Sequence, residues 1–179
     1  TRKFAELMGG DAGVESSPGQ GSIFGFTVRL KTGGSAAQTE APKVESAEAQ
    51  LKAKFAGRRV LLAEDEPINR EVTSMLLSDA LLQVDVAEDG QVATDLAARQ
   101  HYDLILMDMQ MPIMDGIDAT RAIRGLPAGD KVPIIAMTAN AFAEDKARCL
   151  AAGMNDFLSK PVNSATLFDK ILHWLAAGT

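Results

Sequence analysis

Four strand-like segments in this chain of 179 residues end in residues suited to chemistry rather than in turn residues. RVLLA is followed by Glu64 and Asp65, LILM by Asp108, PIIAM by Thr138, and DFLS by Lys160. If those ends converge, three carboxylates, a hydroxyl and an ammonium meet. Carboxylates about 4 to 5 Å apart repel by roughly 1 to 4 kcal/mol per pair, depending on the local dielectric, so a cation must relieve them. With oxygen donors only, and neither His nor Cys in the set, a hard ion is favoured, and a few carboxylates plus waters is the usual arrangement for Mg²⁺. A metal alone leaves Lys160 and Thr138 without a purpose. Those two suit an incoming phosphoryl group, whose oxygens take a positive charge and a hydrogen bond while the Asp108 carboxylate attacks phosphorus.

Convergence requires a particular set of elements. From Arg58 onward, short apolar runs alternate with stretches of helical period. RVLLA, LILM and PIIAM are unbroken, as in strands covered on both faces of a parallel sheet, whereas QVDVA alternates, as nearer an edge. Ile68, Val72, Met75 and Leu76 form one helical stripe, and Leu167, Ile171, Trp174 and Leu175 another. Strand and helix alternate five times: 59–63 then 67–81, 83–87 then 90–99, 104–108 then 116–125, 133–137 then 142–152, and 156–159 then 164–176. The pattern predicts a doubly wound α/β domain. In such open sheets ligands sit at the carboxyl ends of the strands, near the point where strand order reverses, which is where Glu64, Asp65, Asp108, Thr138 and Lys160 fall.

Composition narrows the setting. With 46% hydrophobic and 23% charged residues, the chain can bury one good core and a fragment of a second. No apolar run approaches the roughly 20 residues of a membrane span, and TRKFAELMGG has no leader character, so no membrane contact is expected of this stretch. From Arg58 on, 11 Lys and Arg face 18 Asp and Glu, a net −7, while the preceding residues carry +1. An acidic chain without a basic stripe is a poor ligand for nucleic acid. Cys149 is the only cysteine, so there is no disulfide framework or CxxC metal site, and a reducing, cytoplasmic compartment is expected. Between Lys31 and Phe55, KTGGSAAQTEAPKVESAEAQLKAKF is poor in core-forming residues and reads as a linker over 32–57. Its second half, from about Glu45 to Phe55, has good helix formers and is read as part helical.

Five separated elements, VLLAEDEPINR, DLILMDMQMPIMDG, IIAMTAN, AAGMNDFLSKP and the final helix, together resemble the response-regulator receiver domains of two-component phosphorelays, over residues 58–177. The resemblance implies a flavodoxin-like (βα)5 fold with a five-stranded parallel sheet of order 2-1-3-4-5. It implies that Asp108 is the phosphoacceptor and that Asp65, Asp108 and the backbone carbonyl of Gln110 bind Mg²⁺, with Glu64 reaching it through water. It further implies that Lys160 contacts the phosphoryl group, that Thr138 follows it after transfer, and that the Lys160–Pro161 peptide is cis. The switch aromatic is Phe157, which lacks the hydroxyl of the commoner Tyr. On this reading the domain catalyses its own aspartyl phosphorylation from a phosphohistidine, switches the face made by its fourth and fifth helices and fifth strand, and passes the group to a histidine phosphotransfer domain.

The start of the chain resembles a different family. ELMGGDAGVESSPGQGSIFGFTVRL is similar to the last helix and last two strands of the ATP-binding catalytic domain of sensor histidine kinases, with Gly19 to Gly21 in its second glycine box. Without the family, Phe24, Phe26, Val28 and Leu30 alternate as the buried face of a strand after an SPGQGS turn. A catalytic-domain tail (1–31), a linker and then a receiver is the order of a hybrid histidine kinase, whose parent chain could be membrane-anchored. The motifs that hold ATP would lie upstream of Thr1, so residues 1–31 should not use ATP.

Blander roles compete with these. Met107, Met109, Met111 and Met114 look like a soft-metal set, but two of the four adjoin or end a buried strand, so packing explains them; Cys149 reads as core filler. His101 and His173 fall in a loop and on the final helix, where a solvated or packing role suffices. Glu64, Asp65 and Glu66 ahead of Pro67 could be only an acidic helix start, which leaves Asp108 and Lys160 unexplained. A flavin binder of the same fold needs a Ser/Thr/Gly phosphate loop, and AEDEP would repel phosphate. A haloacid-dehalogenase-type phosphatase needs a second Asp two residues after the first, where Gln110 stands. The remaining alternative is a degenerate receiver that only binds proteins.

Overall fold

The structure, a computed structural model, describes residues 12–17, 21–27, 45–127, 129–139 and 143–178. The chain divides into two compact units, Thr1–Val44 and Glu45–Thr179. In the first, β1 (Ala12–Ser17) and β2 (Gly21–Phe26) pair antiparallel from Ala12↔Phe26 to Ser17↔Gly21, in keeping with the alternation around Phe24 and Phe26. The turn residues 18–20, the continuation through Val28 and Leu30, and the helix expected around ELMGG lie outside the described residues.

The second unit runs α1 (Ala47–Lys54), β3 (Arg59–Ala63), α2 (Pro67–Asp79), β4 (Gln83–Ala87), α3 (Gly90–Arg99), β5 (Leu104–Asp108), α4 (Gly116–Arg124), β6 (Ile134–Thr138), α5 (Ala143–Ala152), β7 (Asp156–Ser159) and α6 (Ser164–Ala177). The five strands form one parallel sheet ordered β4-β3-β5-β6-β7, which is 2-1-3-4-5 counted from β3, as expected of the receiver fold. The unbroken runs occupy the centre: every residue of β5 and β6 is buried. Alternating QVDVA is an edge strand and only partly covered. One core layer packs α1, α2 and α6 through Leu51, Leu77, Leu167 and Ile171 against Val60, Leu62, Leu104 and Leu106. The other packs α3, α4 and α5 through Ala93, Ile117, Ile123 and Cys149 against Leu61, Ile105, Met107 and Ala136.

Local signals set the helix starts. Side chains of Glu66, Asp89, Asp115 and Asn163 accept from the backbone N–H three residues on, satisfying donors that the first helical turn leaves open. Two expectations are corrected. Of the stripe Ile68, Val72, Met75 and Leu76, the first three face outward, with Ile68 69% and Met75 57% exposed, while Leu76 packs against the core beside the buried Thr73 and Leu77. In the linker expected over 32–57 the second half is helical, as read, with Ser46 capping α1, but it is not apart from the core: Leu51 and Phe55 are buried beside Leu77, Leu82, Ile171 and Leu175. Two apolar residues four apart suffice to dock a short helix, although the segment's overall apolar content is low.

Candidate functional site

The sheet delivers the predicted residues to one edge. Glu64 follows β3, and its N–H donates to the Ala87 carbonyl at 3.0 Å; Asp108 ends β5 and Thr138 ends β6. Lys160 follows β7, its N–H donating to the Thr138 carbonyl at 2.8 Å, and the Lys160–Pro161 peptide is cis. Glu64, Asp108 and Thr138 are buried and Asp65 is exposed. All five line one open cleft with Gln110, Met111, Asp115 and Arg148.

Lys160 is the hub. Its Nζ lies 2.7 Å from Asp108 Oδ2, and 2.8 and 2.7 Å from the two oxygens of Glu64. The Gln110 N–H donates to the other Asp108 oxygen, Oδ1, at 3.2 Å. Burial pushes the carboxyls of Glu64 and Asp108 above the usual carboxylate range, against the opposing pull of the Lys160 ammonium. Burial alone would lower Lys160, but its hydrogen bonds to Asp108 and Glu64 outweigh it and raise the ammonium above its ordinary value. The ammonium thus relieves part of the carboxylate repulsion that the sequence assigned to a metal alone.

Three supporting residues were not singled out by sequence reasoning. The Arg70 guanidinium donates to the carbonyls of Glu64 and Asp65 at 2.9 and 3.0 Å, fixing the backbone of the acidic pair. The Asn69 amide reaches Glu64 Oε1 at 3.4 Å. At Gly116 an added Cβ would lie 2.1 Å from the Asp108 carbonyl oxygen, so only glycine lets the start of α4 approach the end of β5. The signal for Gly116 was its place just after the cap residue Asp115; nothing local marks Arg70 or Asn69, whose contacts depend on the backbone path after β3.

The donor set fits a hard divalent cation. Glu64, Asp65 and Asp108 each offer a carboxylate oxygen, all within 4.8 Å of one another, and an all-oxygen set with one solvent-facing member suits an ion that keeps several waters. Phe157 is not in the cleft lining; it lies on β7 opposite Ala136, half-buried against the second core layer. The methionines serve packing: Met107 is buried, and Met109, Met111 and Met114 pack against the same layer. Cys149 is buried, and His101 and His173 are exposed.

Comparison with known proteins agrees with this geometry. Residues 60–172 match the response regulator receiver domain family, and the chain belongs to it. The chain is 40% identical over 115 residues to the signal transduction histidine-protein kinase BarA of Escherichia coli K12, covering 64% of this chain and 12% of that one. It is 36% identical over 168 residues to the aerobic respiration control sensor protein ArcB of the same organism, covering 93% of this chain and 21% of that one. The chain therefore spans a small part of these curated relatives, whose receiver domains belong to hybrid histidine kinases. Among solved structures, the receiver domain of sensor histidine kinase PA1611 from Pseudomonas aeruginosa PAO1, with magnesium coordinated in its active-site cleft, is 47% identical with a TM-score of 0.63, over 68% of this chain and 99% of that one. The receiver domain of Ssk1 from Saccharomyces cerevisiae, solved with the histidine phosphotransfer protein Ypd1, is 32% identical with a TM-score of 0.62, over 68% of this chain and 90% of that one. Among the described residues no helix is long and apolar enough to cross a membrane.

Proposed function

We propose that this chain carries the phosphoacceptor of a cytoplasmic phosphorelay and is a piece of a hybrid histidine kinase, its residues 1–31 the tail of the kinase's ATP-binding domain. The observation that carries the receiver reading is the Asp108 carboxylate held by Lys160 at 2.7 Å beside Glu64 and Asp65. An Asp108 oxygen attacks the phosphorus of a phosphohistidine in line; the P–O bond forms, the P–N bond breaks, and the imidazole leaves and takes up a proton. Lys160 and Thr138 offer a positive charge and a hydroxyl to the oxygens in transfer. Mg²⁺, held by Asp65, Asp108 and the Gln110 carbonyl with Glu64 reaching it through water, would supply charge neutralisation to the same oxygens. Arg70 and Gly116 keep the carboxylates in place. After transfer, Thr138 moves toward the phosphoryl group and Phe157 fills the space behind it, altering the surface near α5, β7 and α6.

The outward stripe of α2 supports a helical phosphotransfer partner. Ile68, Val72 and Met75 are exposed, and Glu66 and Asn69 of the same segment line the cleft, so a partner helix laid on the stripe would bring its histidine to Asp108. The match to ArcB over 93% of this chain extends beyond the receiver, and the β1–β2 hairpin agrees with the two last strands expected of a catalytic-domain tail. A small acyl-phosphate donor with Mg²⁺ should add one phosphoryl group, and Asp108→Asn should abolish the added mass. Unchanged labelling of that variant in intact-mass spectra would overturn the assignment and leave the protein-binding scaffold as the better reading.

A further inference from the structure

We propose that Lys170 is a positioning residue that latches the ring of Phe157 at the open edge of the sheet and thereby sets how readily the phosphoacceptor site adopts its occupied state. The proposal rests on the receiver reading above, in which the Phe157 ring moves when the site is occupied.

β7 is the outer strand of the sheet, so its outer edge is not paired with a further strand. Leu158 points into the layer of α6, whereas Phe157 packs against the opposite layer. Asp156 therefore shares the α6 face, where the Lys170 Nζ binds its Oδ1 at 2.6 Å and the Trp174 Nε1 donates to its Oδ2 at 3.2 Å. The same ammonium lies 5.2 Å from the centroid of the Phe157 ring, within the range of a cation–π contact. Lys170 thus reaches from one face round the strand edge to the ring on the other. Asp156 anchors the ammonium, and the N–H of Phe157 itself donates to Asp156 Oδ1 at 2.7 Å, which ties ring, backbone and cation into one unit. Phe157 has no hydroxyl through which a hydrogen bond could hold its ring, and the Lys170 ammonium is one group that lies against the ring in its observed position. Three residues further on stands Lys160, the hub of the site. A ring that leaves this position loses the contact, and the occupied state is correspondingly less populated.

The test titrates the whole chain with beryllofluoride, a phosphoryl mimic, in saturating MgCl2 by calorimetry. Lys170→Met keeps the aliphatic stem and removes the cation, so the mimic should bind about two- to fivefold more tightly, the factor that a partly exposed cation–π contact corresponds to. Lys170→Arg should restore wild-type affinity. In a Phe157→Leu background, Lys170→Met should change nothing further. Unchanged or weaker binding by Lys170→Met, or the same gain in the Phe157→Leu background, would overturn the latch while leaving the phosphoacceptor intact. A wild-type chain that fails to bind the mimic removes the receiver reading and the latch with it. Thermal melts of each variant separate a lost fold from an altered affinity.

Discussion

Leu51→Ala tests whether the helix ahead of β3 belongs to the folded unit. Leu51 has no exposed surface and packs in the core with Phe55, Leu77, Leu82, Ile171 and Leu175. Leu→Ala in a closed core costs about 2 to 5 kcal/mol, the transfer of the lost carbons plus the cavity left behind. The low end applies here. An eight-residue helix is marginal by itself, so α1 can detach instead of enclosing a void, and its docking free energy then limits the loss. At about 2 to 3 kcal/mol, and with roughly 3 to 5 °C per kcal/mol for a domain of this size, the melting temperature should fall by about 6 to 15 °C. Fluorescence of Trp174, the only tryptophan, is the readout, because it sits on α6 against the same layer and reports unfolding of this unit alone. Lys52→Ala is the control: its pair with Glu48 at 2.6 Å is exposed and worth about 0.3 to 0.5 kcal/mol. A Leu51→Ala shift no larger than that of the control would mean that α1 is a tether and not part of the core.

Two further outcomes are expected. Asp65 is exposed and its oxygen lies within 4.8 Å of those of Glu64 and Asp108, so Asp65→Asn should leave the metal-free protein as stable as wild type or up to about 1 kcal/mol more stable. It should also abolish the Mg²⁺ increment, about 1.4 kcal/mol at tenfold the dissociation constant; equal stabilisation of both proteins by Mg²⁺ would make the acidic pair a mere helix start. Burial works to raise the Asp156 carboxyl, but Lys170, the Phe157 N–H and the Trp174 indole together hold it below the usual range. A lowered carboxyl contributes stability that is complete above its unfolded value near pH 4 and is lost as pH falls through the folded one. The stability gap between wild type and Asp156→Asn should therefore be flat from pH 7 to 5 and shrink below about pH 4, and urea titrations showing a constant gap at pH 3 would contradict the argument.

The candidate site was legible in the sequence because it depends on strand ends. An unbroken apolar run specifies a central strand whatever its neighbours are, and the residue that closes it must then emerge at the carboxyl edge, which is why Glu64, Asp65, Asp108, Thr138 and Lys160 could be placed together without coordinates. Helix starts at Pro67, Gly90, Gly116 and Ser164 were equally local, each set by a residue that accepts from the backbone three positions on. The tertiary structure alone decided which side of a helix is covered. A period of 3.6 identifies the stripe Ile68, Val72, Met75 and Leu76 but not which part of it is covered, and here Leu76 joins Thr73 and Leu77 on the core side while the other three are left outside. It also decided that α1 docks, since Leu51 and Phe55 gain nothing from their own segment and are buried only in the layer that α2 and α6 build against the sheet. The bond of Lys160 to two carboxylates, one of them 96 residues away, and the reach of Lys170 round β7 to Phe157 are of the same kind. Each depends on distances between elements that no local pattern encodes, because packing, and not propensity, sets them.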